Sequence, residues 1–313
     1  MNPVIGFFSG RVRVEEKLLL EAYAKRGVEV QRFTERNMTL RLDRLADDPR
    51  WSGAGAIRVF HDRGLAFGTA GPLLEALEAS GVTCVNRAEV VATSGDKFRT
   101  SLALARAGVP QPETYWCTSA EDALRILDET LGYPAVLKPQ VGSWGRLVAR
   151  LDTRAAAEAV LESREVLGSF HHRTHYLQRM IAKPGRDLRV FVVGNEPIAA
   201  IYRTSDHWLT NTALGATTSA CSVEGEVGEL ALRAAQAVGG GILAVDLVED
   251  PERGLLVLEV NHSGEFRNSI EPTGVNIPGR MVDFVLQTAG EIGPARDATL
   301  RSSTSLPPIE ATP

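Results

Sequence analysis

Two apolar strands that each carry an acid constrain this chain most. The stretch "GILAVDLVED" sets Asp246 inside a run of Ile, Leu, Ala and Val, and "GLLVLEVN" sets Glu259 and Asn261 near the end of another. The polar stretch around Glu249–Gly254 predicts a hairpin between them. Strand side chains alternate, so Glu259 and Asn261 fall on one face, roughly 6.6 Å apart along the strand. Asp246 joins them if it opposes Glu259, whereas a slip of one residue moves it to the other face. Burying an unpaired carboxylate costs several kcal/mol. A divalent cation accounts for such a cluster, and an all-oxygen set suits Mg²⁺ bound together with phosphates. The alternative is a private hydrogen-bond partner for each acid, or a solvated face for Glu259.

A site of this kind needs phosphate partners. Lys138 ends an apolar strand in "AVLKPQVGSWGR" and precedes Pro139. It either reaches a phosphate or snorkels to solvent. Gly142 and Gly145, with Ser143 between them, form a turn whose N–H groups can cover phosphates, although a GxxG is also a common hairpin. Lys97, near a helix start, reads equally as a phosphate ligand or a surface lysine. Arg189 lies in an apolar alternation and must meet an anion. That anion is a ligand carboxylate or phosphate, or a sheet neighbour such as Asp187 or Glu259. Asn211 is either a turn former or an oxygen donor. The cluster His171, His172 and His175 lacks a nearby acid or cysteine, and reads as a basic surface rather than a zinc site.

Composition narrows the class. The net charge of −5 argues against a dedicated nucleic-acid binder. The cysteines Cys84, Cys117 and Cys221 form no CxxC pair, which favours a reducing, cytoplasmic setting. No apolar run reaches the roughly 18 residues of a membrane span, so no membrane partner is expected.

Strand and helix signals alternate over the first ninety residues and predict a small doubly wound parallel sheet. A helix is expected over 96–107. Ser119 is expected as the N-cap of the next helix, with Asp122 at its third position, and a further helix over roughly 153–163. From 176 to 290 strand signals dominate. The expected class is therefore α/β (α+β) in four parts: a doubly wound α/β domain over 1–92, a central α+β lid over 93–175, a mostly antiparallel C-terminal domain with the metal and substrate site over 176–290, and a disordered tail over 291–313.

The order Lys97, Lys138, Gly142–Gly145, Arg189, Arg203, Asn211, Asp246, Glu259–Asn261 resembles the RimK-like branch of the ATP-grasp superfamily. Within it, the chain is most similar to ligases that act on an amino-group carrier protein. The strings "GYPAVLKPQVGSWGRLVA", "PIAAIYRTSDHWLTNTA" and "EVNHSGEFRNSIEPTGVNIPG" carry much of the likeness, which spans about residues 85–285. The resemblance implies an ATP-grasp fold and an ADP-forming ligase. Such a ligase joins the amine of α-aminoadipate to the terminal glutamate side chain of the small acidic carrier LysW, through an acyl phosphate, in lysine biosynthesis.

The resemblance also assigns residues. Lys97, Lys138 and the Gly142, Ser143, Gly145 turn hold ATP phosphates. Gln178, Met180 and Ile181 frame the adenine, and Asp187 meets the ribose. Asp246, Glu259 and Asn261 bind two Mg²⁺ ions. Arg203, Asn211 and Arg189 serve the chemistry, and Arg267, Asn268, Ser269, Thr273 and Gly274 form the amino-acid pocket. Arg164, His171, His172 and Arg173 are the expected docking patch for the carrier. A homodimer or homotetramer is implied. The rival readings are glutamate as the amine (arginine biosynthesis), RimK-like glutamate ligation to another protein, and an ATP-grasp kinase. The chain departs from the family pattern at Arg179, Leu214, Ser263 and Gly264.

Overall fold

The computed structural model describes residues 4–52, 55–64, 67–169, 172–210, 212 and 215–291. Asn211, His171, Leu214 and nearly all of the expected tail lie outside them.

The first sheet is parallel. Strands β1 (Val4–Phe8), β2 (Val30–Phe33), β3 (Ile57–Asp62) and β4 (Thr83–Val85) run in the order β2-β1-β3-β4. Its central strands β1 and β3 are buried on both sides because helices α1 (Val14–Lys25) and α2 (Phe67–Ala79) complete the layers. Ile5, Phe7, Val59 and Tyr23 form one core, and Phe8, Phe60, Leu74 and Leu77 another. Two helices follow, α3 (Ala88–Ser94) and α4 (Lys97–Arg106). The Asp96 side chain caps α4 by accepting from the Phe98 and Arg99 N–H groups, which sets Lys97 at the first helical position.

The second sheet is antiparallel and small. It contains β5 (Thr114–Cys117), β6 (Ala135–Lys138), β7 (Ala149–Leu151) and β8 (His175–Arg179), in the order β5-β8-β6-β7. Helices α5 (Ala120–Ile126) and α6 (Arg154–Leu167) cover it, around Leu127, Leu137, Leu151, Leu161 and Leu177. Ser119 caps α5 through the Asp122 N–H, as expected. The lid continues through Arg179 rather than ending at 175, because β8 pairs with both β5 and β6.

The third sheet has β9 (Arg186–Val193), β10 (Glu196–Thr204), β11 (Thr217–Cys221), β12 (Ile242–Asp250) and β13 (Gly254–Asn261), in the order β11-β10-β9-β12-β13. Every pairing is antiparallel. Leu188, Val190, Val245, Leu247, Val257 and Val260 bury one face together with residues of α7 (Glu226–Ala237). The other face is divided. Phe191, Val193, Ile242 and Ala244 share a core with α1 and α9 (Ile277–Glu291), while the end bearing Asp187, Arg189, Asp246 and Glu259 is polar. The strands β5 and β11 gave no clear sequence signal, since both are sheet edges with partly exposed residues and no apolar alternation. A short helix, α8 (Arg267–Thr273), follows β13.

Candidate active site

The hairpin forms, and a bulge sets its register. Near the turn Asp250 faces Gly254 and Leu247 faces Val257. The register then shifts, so that Asp246 faces Glu259 and Ala244 faces Asn261. Leu258 is the extra residue; in the unshifted register it would itself oppose Asp246. Bulges re-aim side chains in this way beside functional sites.

Asp246 does not stand unpaired. Arg189, its neighbour on β9, donates Nε and Nη2 to the two carboxylate oxygens at 2.8 Å each. The Arg203 Nη2 lies 3.2 Å from Oδ2. Burial pushes the Asp246 carboxyl up, but the two guanidiniums more than reverse this and leave it at about 2. The expected anion for Arg189 is therefore Asp246, not Asp187 or Glu259. A metal is not needed to account for the burial of Asp246. Arg203 also bonds Asp187 at 2.6 Å, and Asp187 accepts from Thr210 as well. Arg203 is thus committed to two carboxylates.

Glu259 is more open, with about 30% of its side chain exposed and the Lys97 Nζ 3.2 Å away. Lys97 also donates to the Gly142 carbonyl at 2.9 Å, tying α4 to the glycine turn. The Lys138 Nζ bonds the Gln178 Oε1 at 2.5 Å. Burial pulls Lys138 down to about 8; Glu259 opposes this and Lys97 adds to it. Lys138 thus keeps its charge at pH 7 with little margin, and a bound anion would stabilise that charge.

These groups surround a cavity of about 860 Å³. Its wall includes Lys97, Lys138, Gly142, Ser143, Gly145, Gln178, Met180, Ile181, Asp187, Arg203, Asp246 and Glu259. A second cavity of about 850 Å³ shares Gly142, Ser143, Gly145, Asp246 and Glu259 and adds Arg13, Arg189, Asn261, His262 and Glu265. Burial lowers His262 to about 4, so that wall holds it neutral near pH 7. A third cavity of about 220 Å³ is lined by Arg189, Arg203, Glu265, Arg267, Asn268 and Ser269. Thr273 and Gly274 lie outside these three walls. The Thr273 hydroxyl bonds the Ser269 carbonyl, and Gly274, at φ 66°, ends α8.

Other expectations need correcting. Arg164 is not a surface cation, since it is buried and donates to the Leu147 carbonyl at 2.7 Å. His175 is buried within β8. Neither can form an exposed docking patch. Among the described residues, no group of three or more His, Cys, Asp or Glu converges as a metal cluster. The two carboxylates and Asn261 are instead an open, oxygen-only set on a cavity wall, which fits a hard cation shared with a ligand better than a closed cage. Sequence reasoning missed Arg13 and Glu265, because nothing local marks residues from opposite ends of the chain as neighbours. No helix among the described residues is long and apolar enough to cross a membrane.

Comparison with known proteins agrees with this architecture. Residues 94–285 match the RimK-like ATP-grasp domain, and residues 5–93 match the LysX preATP-grasp domain. The α-aminoadipate–LysW ligase LysX of Saccharolobus solfataricus is 33% identical over 280 residues, covering 89% of this chain and 98% of the relative. The glutamate–LysW ligase ArgX of Sulfurisphaera tokodaii is 33% identical over 211 residues, covering 67% and 74%. The crystal structure of a RimK domain ATP-grasp protein from Sphaerobacter thermophilus superposes with a TM-score of 0.71 at 30% identity, over 90% of this chain and 99% of that one. With the parallel, lid and antiparallel sheets in place and both domain families matched along the chain, this protein belongs to the RimK-like ATP-grasp family and is an ATP-dependent carbon–nitrogen ligase.

Proposed function

We propose that the chain joins the amino group of α-aminoadipate to the terminal glutamate side-chain carboxylate of a small LysW-type carrier protein. One observation carries this reading: the lysine-lined cavity and the second cavity meet at the glycine turn, Asp246 and Glu259. An acyl phosphate made at the junction is already in reach of an amine entering from the other side. Relatives that act on α-aminoadipate and on glutamate match the chain at the same 33% identity, so glutamate is the competing amine.

In this reading Lys97, Lys138 and the turn of Gly142, Ser143 and Gly145 hold the ATP phosphates. Gln178, Met180, Ile181 and Asp187 line the nucleoside end. Asp246, Glu259 and Asn261 would hold Mg²⁺, which when bound neutralises phosphate charge. The carrier carboxylate attacks the γ-phosphorus and ADP leaves. The neutral amine then attacks the acyl carbon, loses a proton and expels phosphate, forming the amide. Lys138 gains positive character as the phosphates approach and stabilises the transferring group. Arg189 and Arg203 fix the orientation of Asp246, and Asn211 is assigned to the acyl-phosphate step. Arg267, Asn268 and Ser269 face the amino acid where the second and third cavities adjoin, and Thr273 and Gly274 close the helix that carries them.

The test is to incubate the protein with ATP, Mg²⁺, a LysW-type carrier and either α-aminoadipate or glutamate, and to weigh the carrier. A mass gain of one aminoadipate residue is expected. A gain with glutamate alone transfers the assignment to the competing amine. A stable phosphorylated product without amide would point to a kinase.

A further inference from the structure

The second cavity has a wall that this mechanism leaves unused. Arg13, just before α1 in the N-terminal domain, lines it together with Glu265. Three donors of Arg13 bond the Glu16 carboxylate: its backbone N–H at 3.0 Å, Nε at 2.9 Å and Nη2 at 2.8 Å. The Glu16 side chain is fully buried and also meets Arg63 at 3.3 Å. Arg13 is therefore clamped in place rather than free to swing. Its outer edge, Nη1, has the Glu265 Oε1 at 3.4 Å, a long contact for a charged pair. The same oxygen of Glu265 accepts from the Trp144 indole N–H at 3.3 Å. Arg189, the other arginine on this wall, commits Nε and Nη2 to Asp246.

A fixed guanidinium with one edge facing a cavity is a carboxylate receptor by geometry. The reacting atoms belong where the two cavities meet, and Arg13 lies in the wall they do not share. It suits a group held away from the reaction. We propose that Arg13 binds a non-reacting carboxylate of an incoming substrate through Nη1, and that Glu265 occupies that place when the substrate is absent. The inference rests on the ligase reading above. The carboxylate comes from one of two sources, the amino-acid side chain or the α-carboxylate at the carrier's terminus.

Two variants test it by ligation kinetics. Arg13→Lys keeps a charge beside Glu16 but loses the planar fork. Glu265→Gln keeps an acceptor for Trp144 but removes the competing anion. Arg13→Lys is expected to raise one KM about tenfold while the KM for ATP stays within about twofold. Glu265→Gln is expected to lower that same KM, which a purely structural role would not do. A shift in the amino-acid KM names the side chain as the source; a shift in the carrier KM names the terminus. If the wild type ligates and neither KM moves in either variant, the inference falls and the ligase reading stands. If the wild type forms no adduct, the ligase reading falls. Calorimetric titration of wild type and Arg13→Lys with α-aminoadipate and with carrier then decides the role of Arg13: weaker binding of one ligand by the variant supports it, and equal affinity or no binding overturns it.

Discussion

Arg189 grips Asp246 across the sheet through two hydrogen bonds of 2.8 Å each. Of the two acids, the one more deeply set among apolar residues is thus already neutralised by protein, and the half-exposed Glu259 is the more available to a cation. The two positions should respond differently to loss of charge. Glu259→Gln is expected to keep its melting temperature within about 2 °C, while ATP turnover falls at least ~100-fold. Asp246→Asn leaves the Arg189 guanidinium without its acid and removes one of the two carboxylates that hold Arg203, and is expected to cost about 3–5 kcal/mol in urea unfolding. Near-normal turnover in Glu259→Gln would remove the metal assignment.

Nucleotide binding should take up protons. Lys138 lies at about 8 in the free protein because burial disfavours its charge. Bound phosphates favour the charged form, so the proton uptake on binding ATP should grow as pH rises from 7 to 9. Affinity should fall over the same range. Calorimetry in buffers of different ionisation enthalpy measures the uptake. Lys138→Met is expected to abolish the extra uptake and weaken ATP binding; uptake unchanged in that variant would show that another group is responsible.

Asp62 imposes a pH-dependent cost on the fold. It is buried, and burial raises its carboxyl to about 7 against the opposing Gly64 N–H bond. Below the unfolded value near 4 both states are protonated and nothing is lost. Between about 4 and 7 the unfolded chain ionises while the folded one resists, so stability declines as pH rises. Asp62→Asn keeps an acceptor for Gly64 and should stabilise the protein by roughly 2–4 kcal/mol at pH 8. The gain should shrink toward zero as pH falls to 4. Chemical denaturation at both pH values checks this, and an equal gain at both would contradict it.

Substitution at Gly264 should separate binding of ATP from formation of the amide. A Cβ there would lie 2.5 Å from the Ala244 Cβ, inside the sheet that sets Asn261 in register. Gly264→Ala is expected to cost about 1–3 kcal/mol and to displace the adjoining Glu265. The rate of adduct formation should fall severalfold with the ATP KM unchanged. A rise in the ATP KM alone would place the disturbance in the first cavity instead.

Much of this protein could be read directly from its residues. Alternation in "GLLVLEVN" put Glu259 and Asn261 on one face of their strand, and that in "DLRVFVVG" set Arg189 among apolar residues where it had to meet an anion, because a strand's period of two is local. The cap at Ser119 was legible for the same reason. So was the run of lysines, glycines and acids that marks the family. The tertiary structure alone decided that Asp246 meets Glu259, since a one-residue bulge at Leu258 corrects the register set by the turn. It also decided that the partner of Asp246 is Arg189, fifty-seven residues away, and that Arg13 and Glu265 share a cavity wall across 252 residues. A pattern along the chain fixes which face a side chain takes. Which charge it then meets depends on how the sheets register and pack, because leaving a buried charge such as Asp246 unpaired costs several kcal/mol.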